Sequence, residues 1–155
     1  MSDNATHPLG AKLSYGTYDP NNPETPAASY TELGQITETA FPEVTVGKVK
    51  ATRLNQTGIF KRKRPGMADA GDVPTKIYFD KSDYATLLTM AKNRTEAWWK
   101  VEAPEDDDRT HTSKCEFHGF ICKLGQPIPD PESDTAMLSD FDICVNGEPQ
   151  FTGYA

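Results

Sequence analysis

Cys115, His118, Cys122 and Cys144 are the side chains of this sequence best suited to chemistry, since thiolate and imidazole are the usual ligands of zinc. Their spacing works against a shared metal. If Ser113–Leu124 is a regular strand, alternation turns Cys115 away from His118 and Cys122, and they converge only across a bulge. The C-x2-C pairs of zinc ribbons are also missing, so free structural thiols and a histidine that is either satisfied or exposed are expected. The acidic run Glu105, Asp106, Asp107 and Asp108 has charge for a divalent cation but lacks the glycine turn and distal glutamate of a calcium loop. Asp140 and Asp142 are spaced as on one face of a strand, where alternating carboxylates ordinarily mark the wet side. Lys61, Arg62, Lys63 and Arg64 form a single basic run, without the repeated basic face that grips phosphates.

No catalytic signature fills the gap. The sequence has no G-x-S-x-G elbow, no H-E-x-x-H, no G-x-x-x-x-G-K cradle and no dinucleotide fingerprint. The chain therefore reads as a non-enzyme with no catalytic residue, metal or cofactor. A formal net charge of -7 and a pI near 4.9 argue against a surface built mainly to bind nucleic acid. Met1–Leu9 is polar and no stretch approaches the roughly 20 apolar residues of a membrane span, so synthesis in the cytoplasm and no membrane segment are expected.

The elements that must position these residues can be read in order. A chain of 155 residues has room for one domain. Its hydrophobic fraction of 36%, set against roughly 45–50% in ordinary soluble domains, and its 12 prolines and 11 glycines promise a thin core with many turns. Residues 1–29 show no apolar periodicity, and Pro8, Pro20, Pro23 and Pro26 break regular structure, which predicts an extended N-terminal arm. The body, residues 30–155, opens with sparse Leu33 and Ile36, suiting a short strand. Glu43–Asn55 carries Val44, Val46, Val49, Ala51 and Leu54 as a longer strand whose alternation slips near Gly47, as at a bulge. Residues 56–71 then form an excursion too long for a hairpin turn and with no element of its own.

Alternation resumes in Asp72–Asp80, with Val73, Thr75, Ile77 and Phe79 opposed to Lys76 and Tyr78. A helix follows: Ser82 as cap, Asp83 in the first turn, and Tyr84, Leu87, Leu88 and Ala91 at i, i+3, i+4 and i+7. Ala97–Ala103 is a strand that sends Trp98 and Trp99 to opposite faces. Pro104–His111 is a polar connection, and Ser113–Leu124 and Asp134–Asn146 are further strands separated by a proline-rich link. If Phe141, Ile143 and Val145 face the core, Asp140, Asp142 and Asn146 face away from it.

Pro65-Gly66 with Asp69-Ala70-Gly71-Asp72, the KIYFD strand, the tryptophan strand ending in Ala103-Pro104, Phe117–Gly125 and Val145–Phe151 occur in that order between about Tyr30 and Gly153. This order resembles the major tail tube proteins of long-tailed, siphovirus-type bacteriophages. The resemblance implies a mainly β (α+β) fold: a β-sandwich or barrel-like body with one flanking α-helix, related to the type VI secretion tube protein. It implies hexameric rings stacked into a tube in the virion tail for DNA ejection. The implied partners are copies of the chain itself, the tape measure protein, the tail terminator and baseplate or tail-tip proteins. Double-stranded DNA would pass through the lumen without specific binding. Several strands from each copy in such a ring would exceed the roughly 16–18 strands at which porins already enclose a channel. A ring-forming tail-completion or terminator protein, and a monomeric β-rich ligand-binding module, are the alternatives.

By the same resemblance the excursion touches other subunits. Phe60 and Met67 would be its apolar anchors and Lys61, Arg62, Lys63 and Arg64 its charged contacts, with Pro65, Gly66 and Asp69 completing the loop. The charge of Glu105, Asp106, Asp107 and Asp108 suits them as its acidic partner patch on a neighbouring copy. Asp140, Asp142 and Asn146 are candidates to face the lumen, where a negative wall would repel phosphates that carry one charge per about 1.7 Å of duplex.

Overall fold

The computed structural model describes residues 11–34, 36–51, 58, 60–104, 112–125, 127 and 137–153. Its strands are β1 (Lys12–Thr17), β2 (Tyr30–Leu33), β3 (Ile36–Glu38), β4 (Val44–Lys50), β5 (Lys63–Ala70), β6 (Asp72–Tyr78), β7 (Ala97–Pro104), β8 (Thr112–Leu124) and β9 (Leu138–Thr152), with helix α1 (Lys81–Lys92) between β6 and β7. Seven strands form one antiparallel sheet in the order β2-β1-β7-β8-β9-β6-β3, and β4 pairs with β5 in a separate hairpin.

The sheet has to curl. Seven strands laid flat would set β2 and β3 about 29 Å apart, at about 4.8 Å per step. Yet Leu33 ends β2 and Ile36 starts β3, so the two edges lie within about 11 Å of chain. The result is a sandwich-like body with no hydrogen-bonded closure among the described residues. Its interior is lined by alternate residues: Val73 and Ile77 of β6, Trp99 and Val101 of β7, Phe117 and Ile121 of β8, and Phe141, Ile143 and Val145 of β9. The fully buried Leu87 of α1 joins this core, with Met90 and Ala91 beside it.

Helix α1 follows the predicted stripe, but its cap is Asp80 rather than Ser82. Asp80 is extended and its carboxylate accepts the Ser82 N–H at 3.2 Å, which satisfies a donor that a serine two positions later cannot reach. At the far end Arg94 adopts φ 54°, and the N–H groups of Thr95 and Arg94 close back on the carbonyls of Met90 and Ala91. Strand β6 ends before Phe79, which is partly exposed and packs on Tyr84 at 5.4 Å instead of entering the core.

Two sequence expectations are corrected. The N-terminal arm does not extend over residues 12–29: β1 pairs with both β2 and β7, burying Leu13 completely and setting Tyr15 against Trp99. Residues 18–29 then fold as a strap over the outer face. A Cβ on Gly16 would stand 2.6 Å from Ala27 Cβ, Tyr30 Oη donates to Glu116 Oε2 at 2.7 Å, and Gln150 Nε2 donates to the Glu24 carbonyl at 3.1 Å. The alternation of β1 spans six residues, too few to register against the prolines that follow. Likewise the excursion contains β5, whose regular partner β4 supplies the ladder that KRPGMADA does not advertise.

Candidate assembly surface

The β4–β5 hairpin buries almost nothing in its own chain. Every residue of β4 is exposed, as are all of β5 except Gly66 and Ala70. Val44, Val46 and Val49 are about half exposed, Phe60 is 80% and Met67 92% exposed. An isolated two-stranded hairpin is marginal in water, so one this apolar calls for a partner. Its register shifts between Val46 and Lys48, the bulge anticipated near Gly47, with Gly66 and Met67 on the opposing strand. Of the predicted contact loop, Phe60, Lys61 and Arg62 precede β5, whereas Lys63, Arg64, Pro65, Gly66, Met67 and Asp69 lie in it. The acidic patch Glu105–Asp108 lies outside the described residues.

Next to the hairpin runs the second half of β9. Strand β6 pairs only as far as Asp72 opposite Cys144, so among the described residues Asn146–Thr152 bonds on the β8 side alone. That leaves an open edge of unpaired N–H and C=O groups. Phe151, 63% exposed, meets Phe41 edge-on at 5.9 Å beside this edge.

Asp140, Asp142 and Asn146 do share the face opposite to Phe141, Ile143 and Val145. The register sets Lys76 across from Asp140 and Lys123 across from Asp142, so this face is mixed in charge rather than uniformly negative. Cys115 is buried on the core side, where burial first and the Glu116 charge second push its thiol up to about 11, while Cys122 is exposed and bonds the Asp142 carbonyl at 3.4 Å. Cys144 is pushed up by burial and then by Asp72, its direct cross-strand neighbour.

Of the two states open to His118, satisfied or exposed, the structure shows the first, through partners that no spacing announces. Its ring stacks on Tyr18 at 5.0 Å and tilts against Trp98 at 5.2 Å. Nδ1 lies 2.9 Å from Glu96 Oε1, and because a carboxylate only accepts, that nitrogen carries the proton. Asn146 Nδ2 donates to the same oxygen at 3.0 Å. The cluster ties the strap to β7, β8 and β9. Of the two tryptophans, Trp99 takes the core and donates to the Gly119 carbonyl at 3.2 Å, and Trp98 is buried on the outer face with His118.

Solved structures share this architecture almost end to end. A chain of the PVC sheath–tube complex, an extracellular contractile injection system in its extended state, matches with a TM-score of 0.68 at 10% identity, over 97% of this chain and 93% of that one. This is the tail-tube fold. The SPP1 tail tube matches with a TM-score of 0.65 at 12% identity, over 97% of this chain and 80% of that one. The crystal structure of an Hcp protein matches with 0.52 at 11%, over 93% and 99%. No family model and no curated protein matches the sequence. What this chain holds in common with these chains is the backbone path, with few side chains.

Proposed function

We propose that this chain is the structural subunit of a virion tail tube: copies join into hexameric rings, and the rings stack around a channel through which DNA is delivered. The observation that carries the reading is a tail-tube fold with two unsatisfied surfaces side by side, the open edge of Asn146–Thr152 and the exposed hairpin. A monomer has to shield such an edge, whereas an assembling subunit can complete its ladder with a strand of the next copy. Ring closure then removes the lateral edges altogether.

Within that reading the hairpin residues Phe60–Asp69 reach a neighbouring subunit or the next ring. Asp140, Asp142 and Asn146 are the candidates to line the channel, with Lys76 and Lys123 tempering the wall's charge. A tape measure protein, a terminator and baseplate or tail-tip proteins are the proposed further partners, and the bacteriophage is of the long-tailed type. Negative-stain electron microscopy of concentrated protein is the test. Long uniform tubes with sixfold end views support the proposal; isolated rings indicate a terminator, and a monomer with no association a binding module.

A further inference from the structure

The hairpin is charged in opposite senses at its two ends. Lys50, Lys61, Arg62, Lys63 and Arg64 all lie toward its tip and all are exposed. Glu43, Asp69 and Asp72 lie at its root, where the Gly71 N–H bonds the Glu43 carbonyl at 2.8 Å and Asp69 pairs with Thr45. The length of β4 separates the two ends by about 20 Å, at about 3.4 Å per residue. Opposite charges this far apart gain little from each other within one copy, since the Debye length at physiological salt is about 8 Å. Between them the hairpin has a bare stretch: Gly47 and Gly66 face each other, and a Cβ on Gly66 would lie 3.3 Å from the Gly47 carbonyl oxygen. Glycines opposed in this way let the two strands of the hairpin come close at the bulge, and leave no side chain between its two charged ends.

Resting on the tube reading above, we infer that the β4–β5 hairpin is a head-to-tail connector: its cationic tip docks on the Glu43, Asp69 and Asp72 carboxylates at the hairpin root of a second copy. Charge complementarity selects the occupant. The chain as a whole is acidic at -7, so a second copy attracts the basic tip overall, and at the root three exposed carboxylates, Glu43, Asp69 and Asp72, stand together. The exposed Val44 and Val46, which share one face with Ala68 and Ala70, supply the apolar contact that ion pairs at a wet surface do not. A contact between different surfaces of two identical copies is heterologous, and repeats into a ring or an open stack.

Three variants test the connector: a tip reversal (Lys61, Arg62, Lys63 and Arg64→Glu), a root reversal (Glu43, Asp69 and Asp72→Lys), and both in one chain. Circular dichroism and melting of each dilute variant verify the fold, and pelleting with electron microscopy reads the assembly. Each single reversal is expected to raise the concentration needed for tubes roughly tenfold or more. Mixing the two single reversals, or combining them in one chain, is expected to restore assembly, because each altered tip again meets a root of opposite charge. Wild-type tubes alongside unaffected reversals would overturn the connector and leave the tube reading intact. Failure of both rescues would overturn it as well, and a wild-type protein that never assembles would remove both.

Discussion

Replacing Gly147 with alanine probes the hinge on which the open edge of β9 depends. Gly147 adopts φ 89°, a left-handed conformation that costs a residue with a Cβ roughly 1–2 kcal/mol. The new methyl would also stand 2.7 Å from His118 Nε2. To make room the imidazole has to leave Tyr18 and give up its hydrogen bond to Glu96, and losing a bond to a carboxylate costs about 1.5–3 kcal/mol. Together the two effects come to about 2.5–5 kcal/mol. In a chain of 155 residues each kcal/mol lowers Tm by roughly 2–4 °C, so Gly147→Ala is expected to melt about 5–20 °C below wild type, read by tryptophan fluorescence. The two parts separate in a double-mutant cycle. In a His118→Ala background the collision is gone, and the added cost of Gly147→Ala should fall to the backbone part of about 1–2 kcal/mol. A loss of less than about 2 °C in the wild-type background, or the same cost in both backgrounds, would refute the reasoning.

Trp99→Ala removes a fully buried ring packed against Tyr15 and Phe141 and should cost about 3–5 kcal/mol in urea unfolding; a cost under about 1 kcal/mol would deny Trp99 its place in the core. The raised Cys115 thiol makes the folded chain bind the extra proton between pH 9 and about 11. Its contribution is therefore complete below pH 9 and lost as the pH climbs through about 11, so Tm should decline over that window, less steeply in Cys115→Ala. Phe151→Ser alters a side chain that is 63% exposed in the monomer, so dilute protein should lose only its edge-on contact with Phe41, about 0.5–1.5 kcal/mol, while tube formation needs roughly tenfold more protein; tubes at the wild-type concentration would exclude Phe151 from the contact.

Local periodicity made the middle of this chain legible. The alternation of β6, the i, i+3, i+4, i+7 stripe of α1, the β7 and β8 strands and the core-facing Phe141, Ile143 and Val145 of β9 each follow from consecutive residues, because pleat and helix repeat every few positions. The opposition of Cys115 and His118 followed from the same rule, and the order of motifs already resembled a tail tube. The rest was settled by partners distant in sequence. β1 and β5 are strands because β7 and β4 lie beside them, and neither carries an alternation long enough to announce itself. The strap is held by a residue 126 positions away and its exit into β2 by one 86 positions away, and His118 meets Glu96 and Asn146 only because β7, β8 and β9 adjoin. The open half of β9 is visible only once β6 is seen to stop at Asp72. A residue's pattern shows which face it turns, but an edge is defined by the neighbour that is missing, and that depends on how the whole sheet is wound.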